Sequence, residues 1–586
     1  MSHPVKREGG CGMNTLKRIL HLIKPYRGYV ILSFVASFAA VVTQLYAPIL
    51  AGKAIDFIIA AGQVDISGVK TILLKLIVII AIAIVSQWLM NIFNNHIIYK
   101  VVEDIRLKIY EHVEKLPVSY IDSHEYGDIV SRVLTDVDQM ADGLLMGFTQ
   151  LFTGVITIIG TLVFMLRVNA LVAIVVIVLT PFSLLVAGFI SKKTFNMFKV
   201  QSQERSDMTS LVNEMIGNEK TVQAFSFEDE AAERFDEINV RLTNAQFKAT
   251  FFSSLTNPST RLINNIVYAG VGTVGAFGVI KGLLTVGELT CFLSYATQFA
   301  KPFNEISGVM TELSSAIASA SRVFELLDTE TLSSEEGKKD LEDVSGKVEI
   351  DDVSFSYVPD KKLIENLSLR VAPGERVAIV GPTGSGKSTI INLLMRFYDV
   401  GTGKITVDDN DIRDITRGSL RRNYGMVLQE TWLKTGTIRD NIAYGCPDAT
   451  DEQIKEAAKL THADRFIRRL PDGYDTLVSE DGGNLSEGQK QLLCITRVML
   501  NLPPMLILDE ATSSLDTRTE QRIQRAFNKM MKGRTTFVVA HRLSTIKESD
   551  VILVMKDGAV IEQGSHEELL EAGGFYKELY MSQFAN

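Results

Sequence analysis

Two short stretches carry residues whose types and order could do phosphate chemistry. In the first, the apolar run RVAIV passes directly into GPTGSGKST at residues 381–389. Gly381, Gly384 and Gly386 let successive backbone N–H groups turn toward an anion, and a helix starting here adds partial positive charge, with Thr383 and Ser385 completing the loop. Lys387 has the reach for the β and γ phosphates of a nucleotide. Ser388 offers a hydroxyl to Mg²⁺, and Thr389 supports the phosphate contacts from the next helical position. In the second stretch the run MLIL ends in Asp509 and Glu510, so a buried strand delivers two carboxylates to a sheet edge. Neighbouring strand residues diverge: Asp509 is expected to face the metal shell and Glu510 a water in line with the γ phosphate, as general base or positioning group. Either stretch alone has a bland explanation, a chance glycine loop or an acidic turn. Together, in strand–loop–helix context, they predict an ATP- and Mg²⁺-dependent phosphohydrolase.

The elements that must carry these residues lie in the second half of a 586-residue chain, too long for one ordinary domain. That half opens on the alternating VEIDDVSFSYV, an antiparallel strand pattern, and continues as mixed α/β sequence. The first half differs. A chain with 46% hydrophobic and 22% charged residues and a mean hydropathy of +0.15 is unusual for a soluble protein, and its long apolar runs lie before about residue 310. Stretches 29–50, 76–93, 143–166 and 168–191 lack any charge, and 262–280 makes a fifth; a bilayer core needs roughly 20 apolar residues as helix.

The next candidate is short and is followed by Lys301, Pro302 and Glu305. Topology favours it nonetheless: a basic N-terminus (Lys6, Arg7, Lys17, Arg18, Lys24, Arg27) and a nucleotide-binding C-terminal half both belong inside, which requires an even number of crossings. Six spans are therefore expected, at about 29–50, 71–93, 143–166, 168–191, 260–281 and 287–310, after a cytosolic segment 1–28 read as uncleaved. Polar residues on the last span, Gln298, Lys301 and Asn304, are candidates for a cavity-facing stripe, though plain helix-to-helix bonding explains them equally well. The polar stretches 94–142 and 192–258 read as helical extensions into the cytosol, where about 20 residues reach roughly 30 Å. An acidic connector, 328–346, leads to the nucleotide-binding domain, 347–586.

A formal charge of −9 argues against a nucleic-acid partner. The four cysteines, Cys11, Cys291, Cys446 and Cys494, show no metal or disulfide spacing.

The heptad LSEGQKQ at residues 485–491, ahead of MLILDE, resembles the signature of ATP-binding cassette proteins. SSLD ending at Asp516 resembles that family's D-loop, Gln429 in VLQE its Q-loop and His541 in VVAHRLST its switch histidine; all follow the family's order. The segments PVSYIDSHEYGDIVSRVLTDVDQM and EMIGNEKTVQAFSFEDEAAERF are similar to the two cytosolic loops of family exporters, so the likeness covers essentially the whole chain. It implies an all-α six-helix transmembrane domain with long cytosolic extensions, followed by an α/β P-loop ATPase domain with an antiparallel β subdomain and a helical subdomain. It also implies that Tyr357 stacks on adenine, that residues 479–482 couple domains, and that Gln429 and His541 join Glu510 in catalysis, Gln429 also serving the metal with Ser388 and Asp509. Ser486, Gly488, Gln489 and Asp516 would serve the nucleotide across a dimer interface, so a second half-transporter is implied.

One residue departs from the family pattern. Glu487 stands where LSGGQ has glycine, and it would bring a carboxylate near the partner's γ phosphate unless its side chain turns away. With Glu510 and His541 intact, this resembles one half of a heterodimeric exporter, which is favoured over a homodimer. The expected activity is ATP-driven export of hydrophobic or amphipathic small molecules, drug- or lipid-like, across a bacterial-type cytoplasmic membrane by a multi-pass protein with a cytosolic ATPase domain. The alternatives are an ATP-gated channel or regulatory subunit, or an exporter of peptides, heme or glutathione conjugates.

Overall fold

The computed structural model describes residues 8–60, 63–179, 181–358, 363–428, 431–479, 482–509, 517–539 and 546–584. The chain divides into two units: 1–114 with 125–330, and 115–124 with 331–586.

The first unit is helical. Its principal helices are α1 (Arg27–Asp56), α2 (Ile66–Val113), α3 (Thr135–Met146), α4 (Phe152–Val168), α5 (Pro181–Gly217), α6 (Glu228–Ser254), α7 (Thr256–Ile280) and α8 (Val286–Leu327). Among the described residues three continuous helical runs, 15–56, 66–113 and 228–280, are long and apolar enough to cross a membrane, and α4 is a shorter apolar helix. On α2, Leu74, Ile77, Val78, Ile84 and Trp88 all point outward. In water such a surface would be untenable; against lipid chains it is the ordinary solution. The 48-residue α2 spans about 72 Å at 1.5 Å per residue, more than twice a bilayer core, so much of it extends beyond the membrane.

Side chains from four helices make the core of this unit: Val41 and Leu45 of α1, Met165 of α4, Val267 and Val271 of α7, and Phe292, Tyr295 and Phe299 of α8. Several polar groups of this unit are paired across helices, as a low-dielectric setting favours. The Tyr295 hydroxyl donates to Leu45 O at 2.7 Å, and Asn94 Nδ2 donates to Thr149 Oγ1 at 3.1 Å. Further along α8, Arg322 Nε donates to the buried carboxylate of Asp136 at 2.8 Å.

At the opposite end of α8 a capping box joins Thr285 and Glu288. The Thr285 hydroxyl and the Gly287 N–H both donate to Asp56 of α1, each at 2.8 Å. The crossing is tight because Gly52 and Gly287 face each other, and a Cβ on either would run into the other's carbonyl. Gly287→Val is therefore expected to cost about 1–3 kcal/mol by overpacking, read as a lower unfolding midpoint of the purified protein. Gly28→Val, where a Cβ has open space, should leave the midpoint unchanged.

Among the described residues the second unit is built on two main sheets, with a two-stranded pairing of 436–437 and 477–478 besides. Strands β1 (Val348–Phe355), β2 (Ile364–Val371), β4 (Thr402–Val407) and β5 (Asn410–Asp411) form an antiparallel sheet in the order β2-β1-β4-β5. Strands β3 (Arg376–Val380), β6 (Tyr424–Val427), β7 (Met505–Asp509), β8 (Thr535–Val539), β9 (Val551–Lys556) and β10 (Ala559–Gly564) form the other, in the order β10-β9-β3-β8-β7-β6. All its pairings are parallel except β9 with β10. The central strands are near-continuous apolar runs because both faces are covered, so no alternation appears in RVAIV or MLIL.

Residues 115–124 belong to this unit although they come from the first half of the chain: Leu332 N donates to Lys115 O at 2.8 Å, and the Tyr398 hydroxyl donates to Asp122.

Candidate functional site

Strand β3 lies at the middle of the parallel sheet, with β9 and β8 on either side. The crevice beyond the C-terminal ends of such strands is where an open α/β sheet takes its ligand. From Val380 the chain turns through residues 381–386 into helix α9 (Lys387–Leu394), capped by Gly386 in a left-handed conformation at φ +97°. Gly381, at φ +154°, passes so close to Met555 O on β9 that a Cβ would collide with it. The tight path leaves the N-terminal N–H groups of α9 facing the crevice, where they can bind an anion.

Lys387 is buried, and its ammonium donates to Gly381 O at 3.0 Å and Pro382 O at 2.9 Å. Burial pushes its pKa down, and Asp509 acts in the opposite direction. Asp509 ends β7, level with Val539 of β8, which is in turn level with Ile379 of β3. One strand thus separates the carboxylate from the lysine's strand, about 10 Å at the usual strand spacing. Ser388 is exposed on the first turn of α9, Thr389 is buried beneath it, and Thr383 is exposed on the loop. The Ser385 hydroxyl is buried without a hydrogen-bond partner.

Tyr357 presents a ring that is 44% exposed. Asn392 of α9 donates to its hydroxyl at 3.0 Å. Phe355 and Tyr398 hold the ring edge-on, each with centroids 4.9 Å away. An exposed aromatic face fixed to the phosphate-loop helix can stack on a nucleobase.

The LSEGQ stretch is anchored elsewhere. Helix α10 (Glu487–Leu500) packs Leu492, Leu493 and Ile495 into a cluster with Ile454, Ala457 and Ile467, whereas Ile390, Ile391 and Leu394 of α9 belong to a different cluster. Gln489 accepts from Ser486 N at 2.9 Å, closing the helix start, and Gly488 is buried. Glu487 Oε1 accepts from the Thr431 hydroxyl at 2.6 Å, and Oε2 lies 3.6 Å from Lys490 Nζ. Its carboxylate is therefore turned toward its own chain.

Comparison with known proteins decides the family. The sequence profile of the ABC transporter transmembrane region matches residues 30–303, and the profile described as ABC transporter matches 364–513. The chain is 41% identical to the fatty acid ABC transporter ATP-binding/permease protein of Mycobacterium tuberculosis, over 93% of this chain and 86% of that protein. The chain is an ABC transporter. It is also 37% identical to an ATP-dependent lipid A-core flippase of Desulfotalea psychrophila, over 97% of this chain and 99% of that one. Against a putative multidrug export ATP-binding/permease protein of Bacillus subtilis the figures are 35%, 98% and 100%.

The transporter is thus a multi-pass membrane protein whose cytosolic domain is a transport ATPase binding ATP. Of the residues singled out in the sequence, Tyr357, Gly381, Thr383, Gly384, Ser385, Gly386, Lys387, Ser388, Thr389 and Asp509 surround the end of β3 or adjoin it through α9 and β7. Ser486, Gly488 and Gln489 sit with α10. Gln429, Glu510, Asp516 and His541 lie outside the described residues, as does Asn304 with regard to its side chain. Three groups of the transporter went unremarked in the sequence reading: Asn392 and Tyr398, which hold Tyr357, and Thr431, which holds Glu487. None carries a signal in its own spacing, because each acts on a residue that only the folded chain brings near.

Proposed function

We propose that the transporter uses ATP hydrolysis to export hydrophobic or amphipathic small molecules, drug- or lipid-like, by alternating access. The observation that carries this is the fusion of long lipid-facing helices to a phosphate loop with its lysine, aromatic platform and strand-end carboxylate in one chain. Relatives named for multidrug export, lipid A-core flipping and fatty acid transport support the direction and the substrate class. Six spans over the ranges expected from the sequence, a connector at 328–346 and an ATPase domain from 347 are part of this reading.

In it, the loop N–H groups and Lys387 hold the phosphates, and Tyr357 holds the adenine. Glu510 activates the attacking water, and His541 and Gln429 sense the γ phosphate. Ser388 and Asp509 are hard oxygen donors of the type Mg²⁺ takes, and the described residues contain no cluster of three or more His, Cys, Asp or Glu that would hold a metal unaided. With Gln429 as a further oxygen donor, the protein would supply part of the ion's shell and leave phosphate and water to complete it. When bound, Mg²⁺ neutralises charge between the β and γ phosphates.

ATP is then closed between Lys387 of one subunit and Ser486, Gly488, Gln489 and Asp516 of another, so nucleotide binding drives closure by adding contacts that exist only in the closed state. Glu487 favours a heterodimer. Two like charges about 6 Å apart at an effective dielectric of ~20 repel by roughly 3 kcal/mol, which a catalytically idle partner site tolerates and a working one does not. The bond to Thr431 and the nearby Lys490 hold the carboxylate toward its own chain, so this repulsion acts only where closure draws Glu487 away from Thr431.

The test is ATP turnover of the purified chain alone and with a second half-transporter, each with a chemically diverse panel of hydrophobic compounds. Slow turnover alone, restored and compound-stimulated in the pair, is the expected result, with Glu487→Gly raising the rate of the lone chain. Brisk turnover by the lone chain would rule out the heterodimer.

A further inference from the structure

Helices α7 and α8 enclose a cleft of about 330 Å³ lined by Asn264, Asn265, Tyr268, Thr297, Gln298 and Lys301. So many polar side chains at one level are costly inside a membrane protein, where such groups mark ligand pathways. The level follows from the helices. The far end of α8 leads into the cytosolic ATPase domain, so Val286 marks the outer end, and Gln298 and Lys301 lie about 18 and 22 Å below it at 1.5 Å per residue. Asn264 lies about 24 Å from Ile280, the outer end of α7. In a core of about 30 Å the cleft therefore opens at the depth of the cytosolic leaflet. Toward the outside it is closed by the packed residues Phe292, Tyr295 and Val271.

The cleft is not merely a helix contact with its hydrogen bonds made. Asn264 Oδ1 and Gln298 Oε1 are both buried with no hydrogen-bond partner, each having given up its bonds to water without replacement. Both side chains line the cleft, so a ligand N–H or O–H there is the group that would satisfy them. Lys301 Nζ lies 3.9 Å from Glu305 Oε1 in a loose ion pair, and the Lys301 side chain is 71% exposed. Beside Asn265, α7 exposes Leu262 and Ile266, an apolar strip on which an acyl chain can lie.

We propose that this cleft receives the head of a single amphipath from the cytosolic leaflet, and that the head combines an acidic group for Lys301 with hydroxyl or amide donors for Asn264 and Gln298. The inference rests on the export reading and narrows its substrate class. The acid is a carboxylate or a phosphate, since Lys301 as a point charge accepts both. A plain fatty-acyl anion supplies no donor and a neutral acylglycerol supplies no charge, so each meets only half of the site.

The experiment uses the active transporter in lipid nanodiscs, with three probes of equal acyl length: a monoacylglycerol phosphate, a monoacylglycerol and a fatty acid. An N-acyl amino acid, bearing a carboxylate and an amide N–H, separates phosphate from carboxylate. Half-stimulation of ATP turnover is expected at a concentration at least 10-fold lower for the heads carrying both features. Lys301→Gln should reduce the monoacylglycerol phosphate to the level of the monoacylglycerol, and Gln298→Met or Asn264→Leu to the level of the fatty acid. Because Lys301 is exposed, its variant does not depend on repacking, and each effect is read as the ratio of one probe's potency to another's in the same preparation, which a general loss of folding or turnover does not move.

Equal potency of all probes, equal shifts of all probes in a variant, or cross-linking of Asn265→Cys to a second subunit without any probe response would overturn the proposal. Uphill export of a hydrophobic dye, abolished by Lys387→Met, separates these failures from failure of the export reading itself.

Discussion

Lys387→Met should abolish uphill export and lower ATP turnover by about 10²–10³-fold, the usual effect of losing one preorganised group that stabilises developing charge. Methionine keeps an unbranched stem of similar length, so the packing of α9 on β3 survives and the loss is one of charge. The lysine is buried and donates to two loop carbonyls, Gly381 O and Pro382 O. Those bonds hold the ammonium in the mouth of the loop, where a triphosphate offers it stronger acceptors. Burial lowers the proton affinity of this amine, and the incoming anion raises it again, so the charge is most effective with nucleotide in place. The assay is phosphate release together with dye accumulation in proteoliposomes. Cargo that still accumulates against its gradient in the variant would remove the mechanical role assigned to the nucleotide.

Glu510→Gln separates binding from chemistry. The residue follows Asp509 directly at the end of β7, and general-base or water-positioning carboxylates contribute about 10²–10⁴-fold in rate. Glutamine keeps the size and hydrogen-bonding reach but cannot take a proton. Steady turnover is expected to fall by that factor while ATP affinity, followed with a fluorescent nucleotide, stays near wild type. Because hydrolysis no longer dissolves the closed state, the variant subunits should also remain associated in ATP and Mg²⁺, visible as a persistent closed dimer by cross-linking. Turnover near the wild-type rate would transfer the role to another group.

Much of this molecule was legible without coordinates because its strongest signals are local. Charge-free runs of membrane length need nothing but hydrophobicity to be recognised, and a loop of GPTGSGKST after an apolar strand needs only backbone geometry. Asp509 could be placed at a strand end because MLIL has no polar residue to interrupt it, and β7 does end there. Between α8, ending at Leu327, and β1, starting at Val348, the sequence loses its apolar period, and residues from 331 onward fall in the second unit.

What stayed hidden depends on residues far apart in the chain. The sequence left the Glu487 carboxylate free to approach a neighbouring nucleotide or to turn away; the hydrogen bond from Thr431, 56 residues earlier, turns it. Tyr357 was readable only as an aromatic residue in a plausible place, whereas its orientation comes from Asn392 and Tyr398.

Patterns of residue type thus prescribed a lipid-facing helical half, a nucleotide half and the glycine-rich turn ahead of α9, because hydrophobic runs and glycine-rich turns act through neighbours in sequence. Folding alone assigned residues 115–124 to the ATPase unit, brought Gly52 against Gly287, and stranded two amide oxygens in a cleft between α7 and α8. Those outcomes are sums of many weak contacts over long separations, and no short stretch of the chain contains them.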